Sequence, residues 1–146
     1  MKMIDISWSI SAEMTAYKDK KVVAIDQVKT FTTEHARETV LRLGSHSGTH
    51  IDAPAHFLED GITADQLPLD LFVGPCLVLD CMQIQKCITA EDLSVFNIPA
   101  DTIVLFKTCN SLLKADAPFN PSFVYLGVSG AQYLVERNIK SVGILS

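Results

Sequence analysis

Three of the four histidines of this chain lie within an eleven-residue segment that also holds a carboxylate. His46, His50 and His56 surround Asp52, whereas His35 lies apart. Neutral imidazoles and a carboxylate are the ligands that zinc, manganese or iron(II) bind in proteins. The segment therefore predicts a metal site formed by His46, His50 and Asp52; the alternative is a merely polar loop.

Such a site requires a bent backbone. In a flat strand His46 and His50 would be roughly 13 Å apart, too far to share one ion. Gly48 lies between them and permits a bend because it lacks a Cβ atom. Gly48 and Pro54 also disfavour a helix. We expect a bent loop or strand end that points His46, His50 and Asp52 inward, with His56 within reach of a metal-bound water or a substrate.

The segment from Leu41 to Phe57 resembles the signature of the cyclase family. This group of metal-dependent hydrolases includes bacterial kynurenine formamidases (arylformamidases) and isatin hydrolases. Every specified position of its pattern, H-x-G-T-H-x-D-x-P-x-H, is met between His46 and His56. Weaker similarity lies at Asp5-Ile6-Ser7 and between Tyr125 and Ile144, so the resemblance covers nearly the whole chain.

The resemblance implies a fold, a site and a reaction. The fold would be an α/β swivelling β/β/α domain with a mixed sheet, assembled as a dimer or larger homo-oligomer. His46, His50 and Asp52 would be metal ligands, with Asp52 bridging two ions, and His56 would be the catalytic general acid/base. The metal would be zinc or manganese. The reaction would be hydrolysis of an amide, such as N-formylkynurenine to kynurenine and formate in tryptophan catabolism, although isatin and other amides also suit the motif.

That chemistry agrees with the residue types. A bound metal lowers the pKa of its water towards about 7 and polarises a carbonyl oxygen. An imidazole can pass a proton to the leaving nitrogen. In the early loop, Trp8 and Tyr17 could line a pocket for an aromatic substrate; for Trp8 a packing role is the preferred interpretation.

The remaining sequence predicts a mixed α/β chain whose sheet is partly parallel in its second half. Capping-box patterns at Thr89 and Ser129 predict two helices, the second continuing to about Arg137 with Asn138 left-handed beyond it. Apolar and β-branched runs predict strands at 4–7, 22–31, 39–43, 75–81, 101–107 and 140–145.

Composition excludes several classes of protein. The 146 residues carry a net charge of −5, which disfavours nucleic-acid binding. No apolar run approaches the roughly 18 residues of a membrane span, and no signal peptide is evident. We expect one cytoplasmic domain over 1–146. The four cysteines form no C-x-x-C pair, which predicts reduced, mostly buried thiols.

The C-terminus departs from the family pattern. Family members continue beyond the strand matching 140–144 with an acidic loop, a further His and a Glu that complete the metal site. No histidine follows His56 here. We expect a C-terminally shortened domain that holds at most one ion on its own three ligands, with an apolar last strand that favours an oligomer. Three functions stay open: an active single-metal amidohydrolase, a catalytically inactive domain that binds metal weakly or not at all, and a module that binds an aromatic ligand without turnover.

Overall fold

The computed structural model describes residues 5–145, with side chains described through Ile144. These residues form two compact units. The first contains the chain up to Ala64 together with Lys114–Phe119, and the second contains Asp65–Leu113 and the chain from Asn120 onward.

The first unit is built on an antiparallel pair of strands, β1 (Ala24–Lys29) and β2 (Glu38–Arg42). The register pairs Ala24 with Arg42 and shifts by a bulge between Gln27 and Lys29. A short helix, α1 (Phe31–Glu34), joins the strands and ends at His35 in the left-handed conformation (φ 50°). The predicted strand at 22–31 therefore ends two residues early. The Thr30 N–H donates to the Glu34 carboxylate (2.9 Å), which begins the helix instead.

The segment Lys114–Phe119 joins the first unit through hydrogen bonds with the early loop. Thr15 donates its N–H to the Ala115 carbonyl (2.7 Å) and its hydroxyl to the Ala117 carbonyl (2.6 Å). The Phe119 N–H donates to the Asp19 carboxylate (2.8 Å), and the Phe119 ring meets Tyr17 edge-on at 5.0 Å. The part of the early loop from Thr15 to Asp19 is thereby held at both of its ends.

The second unit contains a three-stranded parallel sheet, formed by β3 (Cys76–Asp80), β5 (Ile103–Lys107) and β7 (Ser141–Leu145). The strands lie in the order β3-β5-β7. In the central strand β5, Ile103–Phe106 form a continuous apolar run, with Val104 and Phe106 fully buried on one face and Ile103 and Leu105 half-buried on the other. A second parallel pair joins β4 (Cys87–Ile88) to β6 (Tyr125–Leu126). The helices are α2 (Ala90–Ser94) and α3 (Val128–Glu136).

The buried core of the described chain lies in this second unit. Leu79, Val104 and Phe106 of the sheet pack in one cluster with Leu93 of α2 and Leu134 of α3. At the carboxyl end of β5, the buried Asn110 side chain donates to the Val124 carbonyl and accepts from the Val124 N–H, both at 2.9 Å. This pair ties the loop after β5 to the core.

The capping prediction is confirmed for α2 and wrong for α3. The Thr89 hydroxyl accepts from the Asp92 N–H, and the Asp92 carboxylate accepts from the Thr89 N–H (2.8 Å). The Thr89 hydroxyl also donates to the Asp92 carboxylate (2.6 Å), and this bond together with the one from the Thr89 N–H holds the pKa of Asp92 below its usual range. Helix α3 begins after Gly127, two residues before the predicted cap, and the Ser129 hydroxyl accepts from the Ala90 N–H (3.3 Å).

Other predictions are confirmed or corrected by the described residues. The mixed α/β class is confirmed, as is the left-handed Asn138 (φ 52°). The parallel and antiparallel pairings lie in separate sheets rather than in one mixed sheet. Asp5–Ser7 form no strand, and Ile4 lies outside the described residues. All four cysteines are free, but Cys81 alone is buried and Cys76 is exposed, so fewer thiols are covered than predicted.

None of the described helices has the length and apolar character needed to cross a membrane.

Candidate metal centre

The histidine-rich segment follows β2 as a loop without regular structure. The Ser47 N–H donates to the Gly44 carbonyl (3.1 Å) and closes a turn before Gly48. Gly48 adopts φ +63°, a conformation that residues with a Cβ atom rarely adopt. The bend expected between His46 and His50 is therefore present at the residue predicted to permit it.

The end of the motif is a single 3-10 turn, Pro54–His56, with Pro54 at its first position. The Ala55 N–H donates to the Ile62 carbonyl (3.1 Å). Gly61 lies so close beneath this turn that a Cβ atom there would come within 2.5 Å of the Pro54 backbone. A side chain at position 61 would therefore displace the backbone of this turn.

The loop brings His46, His50 and Asp52 together. Each offers one ligand atom, and these atoms lie within 4.8 Å of one another. The Asp52 Oδ1 atom is 2.7 Å from His46 Nδ1 and 3.5 Å from His50 Nε2. Donor atoms around one zinc ion lie roughly 3–4 Å apart. The Asp52–His50 separation lies in this range, whereas Asp52 and His46 are at direct hydrogen-bond distance and would move apart to share an ion. The donor types fit a divalent ion of the zinc or manganese type.

The His50 ring is oriented by the backbone at the bend. Its Nδ1 atom lies 2.7 Å from the Gly48 carbonyl oxygen. Because a carbonyl can only accept, Nδ1 carries the proton in this contact and Nε2 is left with its lone pair. Backbone carbonyls orient many metal-binding histidines in this way. Gly48 thus contributes both the bend and the acceptor that selects the tautomer.

His56 stacks on the His46 ring. The centroids of the His46 and His56 rings are 4.1 Å apart, and the ring planes are tilted by 41°. The Phe57 ring also packs against His56, with a centroid distance of 4.1 Å. His46 also meets His50 edge-on at 5.1 Å. The loop therefore brings His56 to the three candidate ligands, although the imidazole of His56 is not part of the candidate ligand group.

The donors are accessible to solvent. The side chains of His46, His50 and Asp52 are 41%, 31% and 52% exposed. A ligand or a substrate can therefore approach without displacing protein groups.

The early loop is attached to the motif through Thr49, whose hydroxyl accepts a hydrogen bond from the Trp8 N–H (3.1 Å). Just before Trp8, the Ser7 hydroxyl and N–H both donate to the Asp5 carboxylate, and these two bonds lower the pKa of Asp5. Sequence reasoning did not identify Thr49 as an anchor, because its hydroxyl acts on a residue 41 positions away.

Two aromatic candidates have different positions. Tyr17 and His46 both line a shallow groove of about 290 Å³, whereas Trp8 is not among its lining residues. His35 lies in the β1–β2 connection, where its ring packs on Phe31 at 6.0 Å, apart from the candidate ligands as the sequence indicated.

The sequence is similar to known proteins along most of its length. Over residues 4–144 the sequence matches the family described as "Putative cyclase". It is 42% identical over 112 residues to Cyclase-like protein 3 of Arabidopsis thaliana, covering 71% of this chain and 41% of that protein. It is 29% identical over 150 residues to a kynurenine formamidase of Salinibacter ruber, covering 97% of this chain and 71% of the relative.

Solved structures share the fold. A potential metal-dependent hydrolase with cyclase activity superposes with a TM-score of 0.82 at 33% identity, covering 97% of this chain and 66% of that one. An isatin hydrolase bound to the product analogue thioisatinate shares the fold at 20% identity, with a TM-score of 0.82 and coverage of 97% and 65%.

The chain spans 41% to 60% of the length of the plant cyclase-like proteins that it matches. Within that span, the family match extends across both compact units and includes the whole histidine motif. The chain therefore belongs to the cyclase family, and kynurenine formamidases are among its relatives.

Proposed function

We propose that residues 1–146 act as one cyclase-like domain of a metal-dependent amidohydrolase of the arylformamidase type. The observation that carries the proposal is the convergence of His46, His50 and Asp52 within 4.8 Å beside the ring of His56. Two imidazoles and one carboxylate can hold a divalent ion, and a neighbouring third imidazole can transfer protons, which together suit metal-assisted hydrolysis of an amide.

In this proposal His46, His50 and Asp52 hold a zinc or manganese ion. The bound ion supplies a water of lowered pKa and a positive charge for the carbonyl oxygen. The Gly48 carbonyl keeps the proton of His50 on Nδ1, so that Nε2 is available as a ligand. The Asp52 carboxylate lies between the two imidazoles, where its negative charge would offset part of the charge of a bound cation.

His56 acts as the general acid/base. An imidazole can accept a proton from the attacking water and return it to the leaving nitrogen. Its contact with the His46 ring holds it beside the ligand group. The exposed loop gives an amide substrate access to both.

The substrate that we propose is an aromatic amide, with N-formylkynurenine and its hydrolysis to kynurenine and formate as the first candidate. Similarity to a kynurenine formamidase over 97% of this chain supports this choice. For the assembled protein we propose the swivelling β/β/α arrangement and a homo-oligomer. Exposed apolar side chains on the β1–β2 ladder, including Val28 (51%) and Val40 (50%), support an assembly that covers them.

A second candidate is a catalytically inactive domain that binds metal weakly, or an aromatic ligand without turnover. The exposure of all three donors favours it, because exposed carboxylates and imidazoles exchange readily with water. Three ligands with a solvent-filled fourth position are nevertheless an established arrangement for catalytic zinc.

Metal content per chain tests the site directly. Protein purified without chelator and dialysed against zinc or manganese is analysed by plasma mass spectrometry, with His50→Ala as the disrupted variant and His35→Ala as the matched control. We expect about one ion per chain in the parent and in His35→Ala, and none in His50→Ala. No ion in the parent would remove the hydrolase proposal.

A formamidase assay then separates the two candidates. The metal-loaded protein should release formate from N-formylkynurenine, and His56→Ala should retain the ion while losing roughly two to four orders of magnitude in kcat. Metal binding without turnover would instead select the inactive domain.

A further inference from the structure

The groove beside His46 combines apolar walls with several polar and basic side chains. It is lined by residues 12, 14–17, 20–23 and 44–47 and encloses about 290 Å³, close to the lower end of known ligand pockets. Met14, 3% exposed, is its most deeply buried lining side chain. The Tyr17 ring is fixed edge-on against Phe119. Apolar walls with one fixed ring suit a planar aromatic group.

Apart from the Tyr17 phenol, the ionisable side chains that line the groove are nitrogen bases. They are Lys20, Lys21 and His46, and no Asp or Glu is among the lining residues. The Asp52 carboxylate lies 2.7 Å from His46 Nδ1. The positive charge that the groove offers to an anion therefore comes from its two lysines.

The two lysines differ in their partners. The Lys21 ammonium is 2.8 Å from the Glu13 carboxylate and also donates to the Glu13 carbonyl. Lys20 forms no ion pair in the part of the chain that the structure describes, and its backbone N–H donates to the Tyr17 carbonyl (3.2 Å). The neighbouring Asp19 carboxylate accepts from the Phe119 N–H. Lys20 is thus the lysine of the groove with an unused charge.

We propose that Lys20 is a specificity-determining residue, which selects aromatic substrates that carry an anionic substituent. The aromatic ring lies in the groove, the amide faces His46, and the anionic group meets the Lys20 ammonium. The inference rests on the proposed function for the amide chemistry, and on the groove alone for the preference in charge.

The test compares two formanilides that differ only in charge, 4-formamidobenzoate and 4-formamidobenzamide. Steady-state kinetics are measured on metal-loaded parent, Lys20→Gln and Lys18→Gln. Lys18 is the matched control, since its ammonium lies over the Tyr17 ring at 5.0 Å and it does not line the groove. Binding of 4-aminobenzoate and 4-aminobenzamide, the amine products, is measured in parallel by calorimetry, which needs no turnover.

We expect Lys20→Gln to raise KM for the benzoate and Kd for the aminobenzoate about fivefold, in the range of exposed charge pairs. The kcat values and both neutral compounds should be unaffected, Lys18→Gln should behave as the parent, and added salt should reduce the difference. Equal effects of Lys20→Gln on charged and neutral compounds, or no binding of either amine, would overturn the inference. Charge-dependent binding without hydrolysis would support it while removing the proposed function, and hydrolysis without preference for charge would do the reverse.

Discussion

Replacement of Gly48 by alanine tests whether the bend in the motif builds the site. Gly48 has φ +63°, where an L-residue with a Cβ atom costs roughly 1–2 kcal/mol. The new Cβ would lie 3.0 Å from Met14 Cε, the end of a flexible side chain that can shift by a few tenths of an ångström. The backbone term therefore dominates, and we expect Gly48→Ala to lower the free energy of unfolding by about 1–2 kcal/mol.

The assay is thermal and urea denaturation, followed by titration with zinc. A loss of this size corresponds to a fall in Tm of roughly 3–6 °C for a chain of this length. Because the Gly48 carbonyl orients His50, we also expect about tenfold weaker zinc binding, as for other groups that orient metal ligands.

Gly74→Ala is the control for this substitution. Its Cβ would meet only the Lys140 side chain at ordinary contact distance, 3.5 Å, and its φ is not positive. We expect a change in stability within about 0.5 kcal/mol. If Gly48→Ala matched Gly74→Ala in stability and bound zinc as the parent does, the bend would not be what forms the site.

Three further predictions concern the second unit. Because the pKa of Asp92 is lowered on folding, its carboxylate stabilises the folded chain fully above about pH 4, the pKa of free aspartate. This contribution disappears as the pH falls through the lower pKa of the folded chain. Asp92→Asn should therefore cost about 1 kcal/mol in urea denaturation at pH 7, and an equal cost near pH 2 would contradict the role of the carboxylate. Asn110→Ala leaves the buried Val124 N–H and carbonyl without their partner and should destabilise the folded chain by roughly 2–4 kcal/mol. The control Asn120→Ala removes one hydrogen bond in an exposed turn and should cost less than about 1 kcal/mol. Similar denaturation midpoints for the two variants would refute this difference. A thiol reagent at pH 8 should label the exposed Cys76 first and Cys81 last, since burial and the neighbouring Asp92 and Asp80 carboxylates raise the pKa of the Cys81 thiol. Peptide mass spectrometry gives the order of labelling, and early labelling of Cys81 would contradict the packing.

The candidate ligands could be predicted from the sequence because they lie close together in one short segment of it. Types and spacing indicated a metal site, and Gly48 and Pro54 indicated a bend rather than a helix. The strands of the parallel sheet were predictable for a similar reason, since each is a short apolar run. Helix α2 was predictable because its cap, Thr89 with Asp92, is entirely local.

Features that depend on distant residues could not be predicted in this way. Helix α3 begins after Gly127 rather than at the Ser129 pattern, because its first turn packs against β4. A Cβ atom on Gly130 would lie 2.6 Å from the Ile88 carbonyl oxygen. The strands β4 and β6 have two residues each, too few for any periodicity to indicate them. The groove brings Tyr17, Lys20 and His46 together from separate parts of the chain.

The near absence of a hydrophobic core in the first unit has a thermodynamic consequence for any ion bound there. Met14 is the single large apolar side chain that is buried among the described residues of this unit. The motif loop is therefore held by hydrogen bonds, each with a net contribution of about 0.5–1.5 kcal/mol. Where packing contributes so little, the free energy of ion binding is also free energy of folding. Saturation to a hundred times Kd would add about 2.7 kcal/mol to this unit, so that a chelator acts on it as a denaturant and amide exchange over residues 44–56 becomes a direct measure of ion occupancy.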